Sequence, residues 1–176
     1  AGFFAAVNAA RLQPGLRVVL LEQSNQFLAK VRISGGGRCN VTHACFDPAE
    51  LVKFYPRGAR ELRQLFARFS SGDTVAWFED RGVKLKTEAD GRMFPVTESS
   101  ETIIDCLLRE ASKYKVDLFL NHGVTSIKRI DQLWEIQAGA GRLFIADYLC
   151  IACGGFSKAE QFGWIVSATG HRIAPP

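Results

Sequence analysis

The stretch Ala1-Gly2-Phe3-Phe4-Ala5-Ala6-Val7-Asn8-Ala9-Ala10-Arg11-Leu12-Gln13-Pro14-Gly15-Leu16-Arg17-Val18-Val19-Leu20-Leu21-Glu22 carries the reading that decides the fold. Ala1 to Leu12 are small and apolar and run into Pro14-Gly15, which predicts a tightly packed helix that stops there. Arg17 to Glu22 is a short apolar run ending in an acid, the pattern of a parallel strand buried on both faces. In a βαβ unit that binds a dinucleotide, glycines let the backbone approach the pyrophosphate and the helix amino terminus stabilises its charge. An acid about 20 residues further on holds the ribose. Gly2 and Glu22 have that spacing. On this reading Gly2 is the last glycine of a fingerprint whose strand and earlier glycines lie before Ala1. The pair alone suits equally a small-residue helix followed by a strand and an exposed Glu.

Outward from this unit, Ile33 to Asn40 holds three successive glycines and reads as a loop. Leu62, Leu65, Phe66 and Phe69 mark the apolar stripe of a helix whose Arg60, Arg63 and Arg68 face water. Asp73 is expected to cap a helix that carries Trp77 and Phe78 and ends at Gly82. Val83, Leu85 and Thr87 then alternate, Asp90-Gly91 reads as a hairpin turn, and Met93-Phe94 returns the chain. Ser99 or Ser100 caps a helix with Ile103, Ile104, Leu107, Leu108 and Ala111 inward. From Asp117 the pattern is strands, broken at 121–123, 131–132 and 139–141, a β-meander that ends in a buried strand over Tyr148 to Ala152. The expected organisation is one α/β domain over residues 1–176, with inserted helices and no internal repeat.

Composition bounds the function. With 176 residues, 47% of them hydrophobic, the chain can bury one substantial core. No apolar run approaches the roughly 18 residues of a membrane span, and no leader pattern is read at the start. The charge of +4, from 22 basic and 18 acidic residues, suits an anionic ligand and is too mild overall to indicate nucleic acid. Five scattered cysteines, an odd number, argue against a disulfide framework and for a reducing cytoplasm. The expected partner is a small-molecule substrate, with neither nucleic acid nor membrane.

The second chemical feature is Ile33-Ser34-Gly35-Gly36-Gly37-Arg38-Cys39-Asn40. Glycines cost conformational entropy on ordering and serve where backbone N–H groups must pass close to a flat or anionic ligand. The alternative is a surface turn with a solvated arginine, and sequence context decides between them. Lys30 to His43, running through this loop, resembles the signature of the YhiN/BaiN-like flavoproteins, NAD(P)/FAD-dependent oxidoreductases. Asp90 to Thr97 is similar to that family's next block, and Ile151-Ala152-Cys153-Gly154-Gly155 with Gly170-His171 to a later one. The blocks cover nearly the whole chain in the family's order.

The resemblance implies a three-layer, Rossmann-like FAD/NAD(P)-binding domain with a parallel sheet and a crossing β-meander, incomplete at both ends. The first strand, a substrate-side domain and the returning carboxy-terminal part would lie outside the sequence. It implies that Ala1 and Gly2 close the pyrophosphate turn and that Glu22 accepts hydrogen bonds from the adenosine ribose. Lys30 and the loop of Ser34, Gly35, Gly36, Gly37, Arg38, Cys39 and Asn40 would pass beside the flavin and phosphates. Val124 would offer backbone contacts to adenine, and Ala152, Cys153 and Gly154 would line the cofactor. Two departures matter: Leu28-Ala29 stand where many relatives have a glycine and a basic residue, and Cys153 replaces a commoner threonine.

Other constellations carry less. Cys39, His43 and Cys45 lack a fourth ligand nearby, so no metal is expected. His122 and His171 are isolated and read as scaffold, and no catalytic acid or base is assigned. The basic face of Lys53, Arg57, Arg60, Arg63 and Arg68 suits an anionic partner or, as is usual for the polar side of an amphipathic helix, plain solvation. The spacing Cys150-x-x-Cys153 is that of a redox dithiol, but residues three apart in a strand point to opposite faces. Cys150 is therefore expected in the core and Cys153 beside the cofactor. The leading expectation is electron or hydride transfer through FAD, with NAD(P)H as candidate donor. The alternatives are an NAD(P) dehydrogenase, which Glu22 suits equally, and a non-catalytic nucleotide-binding module.

Overall fold

A computed structural model describes residues 1–156 and 158–172. In chain order the helices are α1 (Gly2–Leu12), α2 (Ala29–Ile33), α3 (Pro48–Leu51), α4 (Ala59–Phe66), α5 (Ser71–Glu79), α6 (Glu101–Lys113) and α7 (Gly163–Thr169). The strands are β1 (Val19–Leu21), β2 (Thr42–His43), β3 (Leu85–Thr87), β4 (Arg92–Pro95), β5 (Asp117–Phe119), β6 (Val124–Ile130), β7 (Leu133–Ala138) and β8 (Arg142–Ala146). The chain forms two compact units, one discontinuous (residues 1–27 and 110–176) and one inserted within it (28–109).

The first unit is built on α1 and a parallel strand pair. Phe3, Val7 and Ala10, spaced four and three apart, are the buried face of α1, as its alanine-rich sequence requires. β1 pairs parallel with β5, Leu20 opposite Leu118. β1 is half-buried over its length, and not enclosed on both faces as its apolar run predicts. The meander runs antiparallel in the order β6-β7-β8, with Ile136 and Ala138 of the central strand buried. It meets the parallel pair through aromatic contacts: the Phe119 ring lies 5.5 Å from that of Phe144, edge to face, and the Arg142 guanidinium stands 4.5 Å over Phe119. The turns at 121, 131 and 139 carry positive φ at Asn121, Asp131 and Gly139, the residue types that tolerate it best.

The buried strand expected over Tyr148 to Ala152 does not form. Tyr148 is 85% exposed, and the segment pairs with no strand among the described residues. An apolar run becomes a strand only where a neighbour supplies ladder partners. Cys150 is correspondingly exposed and not in the core, so the opposite-face argument for Cys150 and Cys153 loses its basis. Both are free and exposed.

In the second unit β2-β4-β3 form an antiparallel sheet around the fully buried Phe94. The turn between β3 and β4 holds Gly91 at φ +85, with Gly91 N–H donating to the Glu88 carbonyl over 2.9 Å. Helix α5 starts in a reciprocal capping box. Ser70 is its N-cap, and Asp73, expected as the cap, sits one turn inside and accepts the Ser70 N–H at 2.7 Å. Trp77 and Phe78 are buried and Gly82 at φ +79 ends the turn, as expected. Helix α4 departs from expectation: none of its residues is buried, and Leu65 is 58% exposed. Helix α6 buries Ile103, Ile104, Leu107 and Ala111 of the stripe read from its sequence, with Leu108 at its half-buried margin, and Cys106, which that reading did not name.

Candidate functional site

In the first unit the residues expected to hold a nucleotide gather around the ends of α1, β1 and β5. Helix α1 has Ala1 at its N-cap, with no side-chain cap hydrogen bond among the described residues and no acid in its first turn. A Cβ on Gly2 would lie 3.5 Å from the Ala152 side chain, so the amino terminus of α1 and the segment of Ala152, Cys153 and Gly154 are neighbours. Gly154 takes φ +80, and Cys153 and Gly154 are exposed. One residue on from Gly2, the Phe3 ring lies 5.5 Å from Phe27, edge to face. That contact ties the start of α1 to the segment that follows Glu22.

Glu22 leaves β1 half-buried, and its backbone is held at both ends: its N–H donates to the Phe119 carbonyl at 2.9 Å and its carbonyl accepts from His122 N–H at 2.8 Å. Its carboxylate is held on one side, where Oε1 accepts the Ser24 N–H at 2.9 Å. No hydrogen bond to Oε2 occurs among the described residues. A Cβ on Gly123 would approach that of Gln23 to 3.1 Å, and this tight passage brings Val124, the first residue of β6, alongside the Glu22 turn. The structure thus brings together Ala1, Gly2 and Ala152, and separately Glu22 and Val124, within one unit. His122 is scaffold, its Nδ1 2.6 Å from the Leu120 carbonyl.

In the second unit the glycine loop is a short 3-10 turn, Ser34–Gly37, in which Gly35, Gly36 and Gly37 all take positive φ. Its glycines have different reasons for being glycine. A Cβ on Gly35 would come within 2.9 Å of both Asn40 N and Phe94 Cε1, whereas Gly36 faces open space. The loop is anchored by partners that sequence reading did not name: Ser100 N–H donates to the Gly37 carbonyl at 2.8 Å, and Ser100 Oγ to the Arg32 carbonyl at 2.9 Å. Ser34 Oγ closes the preceding helix on the Val31 carbonyl at 2.7 Å.

Arg38 is engaged within the unit. Its guanidinium pairs with Glu88 at 2.5 Å and with Glu98 at 3.2 Å, and lies 4.1 Å over the Phe94 ring. Cys39 is buried at φ +62, and burial pushes its thiol above the ordinary range, partly offset by a hydrogen bond with Ser34. Asn40 is exposed, and Lys30 on α2 is exposed with no ion pair among the described residues. Among the described residues no group of three or more His, Cys, Asp or Glu is placed to hold a metal, and no helix is long and apolar enough to cross a membrane.

A family model described as the HI0933-like protein Rossmann domain matches residues 1–176. The chain is 26% identical over 179 residues to a 3-dehydro-bile acid delta(4,6)-reductase of Clostridium scindens, covering 99% of this chain and 42% of that protein. It is 28% identical over 187 residues to a ribosomal RNA dihydrouridine synthase of Escherichia coli, covering 99% of this chain and 45% of the relative. Among solved structures, native FqzB matches with a TM-score of 0.54 at 18% identity, over 96% of this chain and 36% of that one, a likeness of fold alone. The chain spans less than half the length of these proteins.

Proposed function

Because the chain belongs to the HI0933-like protein Rossmann domain family, we propose that it is the cofactor-binding part of an FAD-dependent oxidoreductase. The observation that carries this reading is Glu22. One carboxylate oxygen is fixed by Ser24 and the other has no hydrogen-bond partner among the described residues, at the carboxyl end of a parallel strand and about 20 residues after the glycine that opens α1. The residues present fit the ADP half of FAD. Glu22 Oε2 would accept from ribose hydroxyls, the leading N–H groups of α1 would face the pyrophosphate, and Val124 would offer backbone to adenine. Ala152, Cys153 and Gly154 supply small side chains and backbone beside the start of α1.

When bound, FAD supplies the redox chemistry, and NAD(P)H is the proposed donor. One relative is named a reductase of a 3-dehydro-bile acid and the other a dihydrouridine synthase of ribosomal RNA, and the reaction proposed for this chain is transfer of electrons or hydride to or from an unidentified small-molecule substrate. The test is the full-length polypeptide purified and examined for flavin absorbance and FAD stoichiometry. Stoichiometric FAD is expected. Glu22→Ala is expected to weaken it by about 1 to 3 kcal/mol, the cost of leaving ribose hydroxyls unpaired. Bound NAD in place of flavin points to a dehydrogenase, and no bound nucleotide to a non-catalytic module. Unchanged FAD affinity in Glu22→Ala removes Glu22 from the site.

A further inference from the structure

Five of the 22 basic residues (Lys53, Arg57, Arg60, Arg63, Arg68) but only one of the 18 acidic ones (Glu61) lie within residues 52–69. The remaining 17 of each sign cancel, so the chain's entire +4 excess resides in this one segment of the second unit. A cavity of about 340 Å³ opens in the same unit between β2 and the helices α3, α4 and α5. None of the five basic residues lines it, and among the described residues no side chain with a formal charge does. Tyr55, Phe66 and Phe69 give it aromatic surface, the Tyr55 and Phe66 rings 5.3 Å apart and tilted by 56°. Thr42, His43 and Thr74 give it hydrogen-bonding groups. The Thr42 and Tyr55 hydroxyls have no hydrogen-bond partner among the described residues. Thr74 Oγ1 donates to the Ser70 carbonyl at 3.0 Å, which leaves its lone pairs open. His43 Nε2 lies 3.1 Å from the Asp90 carbonyl, an acceptor only, so that nitrogen carries the hydrogen, and Nδ1 has no partner among the described residues.

These walls define a ligand chemistry. An anion would meet arginines outside the cavity but no counter-charge within it, so the part that enters is uncharged. A purely apolar molecule would leave the Thr42 hydroxyl and His43 Nδ1 without partners, which costs free energy. The volume stands at the small end of ligand pockets, about 300 to 1,000 Å³, and suits one or two rings. Threonine and tyrosine hydroxyls both donate and accept, so the same wall serves a ring carbonyl and a ring hydroxyl. We propose that this cavity binds an uncharged aromatic ring edged with oxygen, the quinone and hydroquinone class. The ring packs on Tyr55 and Phe66, and the Thr42 hydroxyl donates to a quinone carbonyl or accepts from a hydroquinone hydroxyl. The inference is independent of the flavin reading, because it concerns binding by groups of the second unit alone and involves no electron transfer.

The test is equilibrium dialysis of the full-length protein, under argon, with tetramethyl-1,4-benzoquinone. All its ring carbons are substituted, so the exposed Cys150 and Cys153 do not add to it. The comparison ligands are its hydroquinone, the oxygen-free tetramethylbenzene of the same shape, 4-methylbenzoate and uridine. Quinone and hydroquinone are expected to bind within about threefold of each other, and tetramethylbenzene about 20-fold more weakly for want of two hydrogen bonds. Thr42→Val keeps the shape of the side chain and is expected to cost the quinone about fivefold and tetramethylbenzene nothing. Tyr55→Leu is expected to weaken all three rings by about fivefold. An unchanged urea midpoint in each variant shows that the fold is intact. Equal affinity for quinone and tetramethylbenzene, or a Thr42→Val loss that is the same for both, overturns the proposal. So does 4-methylbenzoate or uridine binding as tightly as the quinone, and so does the absence of binding by any of the rings.

Discussion

Gly35→Ala and Gly36→Ala differ by one position and are predicted to differ sharply in cost. Both glycines occupy the left-handed region, at φ +56 and +67, so each alanine carries a backbone penalty of about 1 to 2 kcal/mol. The space around them separates the two. A methyl on Gly36 meets nothing within 4 Å, whereas on Gly35 it falls 2.9 Å from a backbone nitrogen and 2.9 Å from the Phe94 ring. Phe94 has no exposed surface and anchors the β2-β4-β3 sheet, so its ring has nowhere to go. Overpacking of this kind adds about 1 to 3 kcal/mol. Gly35→Ala is therefore expected to cost about 2 kcal/mol more than Gly36→Ala, or about 4 to 8 °C in midpoint at this chain length. Trp77, the sole tryptophan of residues 28–109 and buried, reports unfolding of this unit by its fluorescence in urea. Equal midpoints for the two variants would show that the loop yields, and would refute the packing argument.

Other expectations follow from burial and from charge. In timed alkylation read by mass spectrometry, the exposed Cys150 and Cys153 should react first, while Cys39, buried and with its thiolate disfavoured, and Cys106 should react last; modification of Cys39 as fast as Cys153 would contradict its placement. The Asp73 carboxyl is held below the ordinary range by the Ser70 N–H and hydroxyl. A depressed carboxylate stabilises the fold above its unfolded pKa and loses that contribution as pH falls through the folded value, so the stability gap between wild type and Asp73→Ala should be full at neutral pH and close in acid. A gap that persists below about pH 1 would mean the box does not act through ionised Asp73.

Most of the local order was legible from residues alone. The register of the hairpin at Gly91 and the breaks of the meander at Asn121, Asp131 and Gly139 depend on backbone signs that short polar residues and glycine announce within four residues. The α1 face at Phe3, Val7 and Ala10 is likewise a local period. What was not legible depends on partners distant in sequence. Tyr148 to Ala152 has the composition of a strand, but composition does not supply a neighbour to pair with. Arg38 reads as a free cation until the fold brings in Glu88 and Glu98, 50 and 60 residues away. Asp73 was legible as a capping residue but not which end of the capping box it holds, because each of its side chain and that of Ser70 satisfies the other's backbone.

The mean charge of the chain does not show where its excess lies, for a related reason. A formal +4 over 176 residues is unremarkable only because 17 acids and 17 bases elsewhere cancel one another, many of them in the pairs around Glu88 and Glu98 or along α6. Cancelled charges project little field beyond about 10 Å at physiological salt, so what a ligand meets is the local excess and not the average. The arginines of residues 52–69 lie near the exposed rings of Phe54, Tyr55 and Phe69 in sequence, on elements that bury almost nothing. Phe66 is half-buried and stands 5.3 Å from the Tyr55 ring, and Phe54 lies 5.3 Å from the His43 ring, while Leu65 stays exposed.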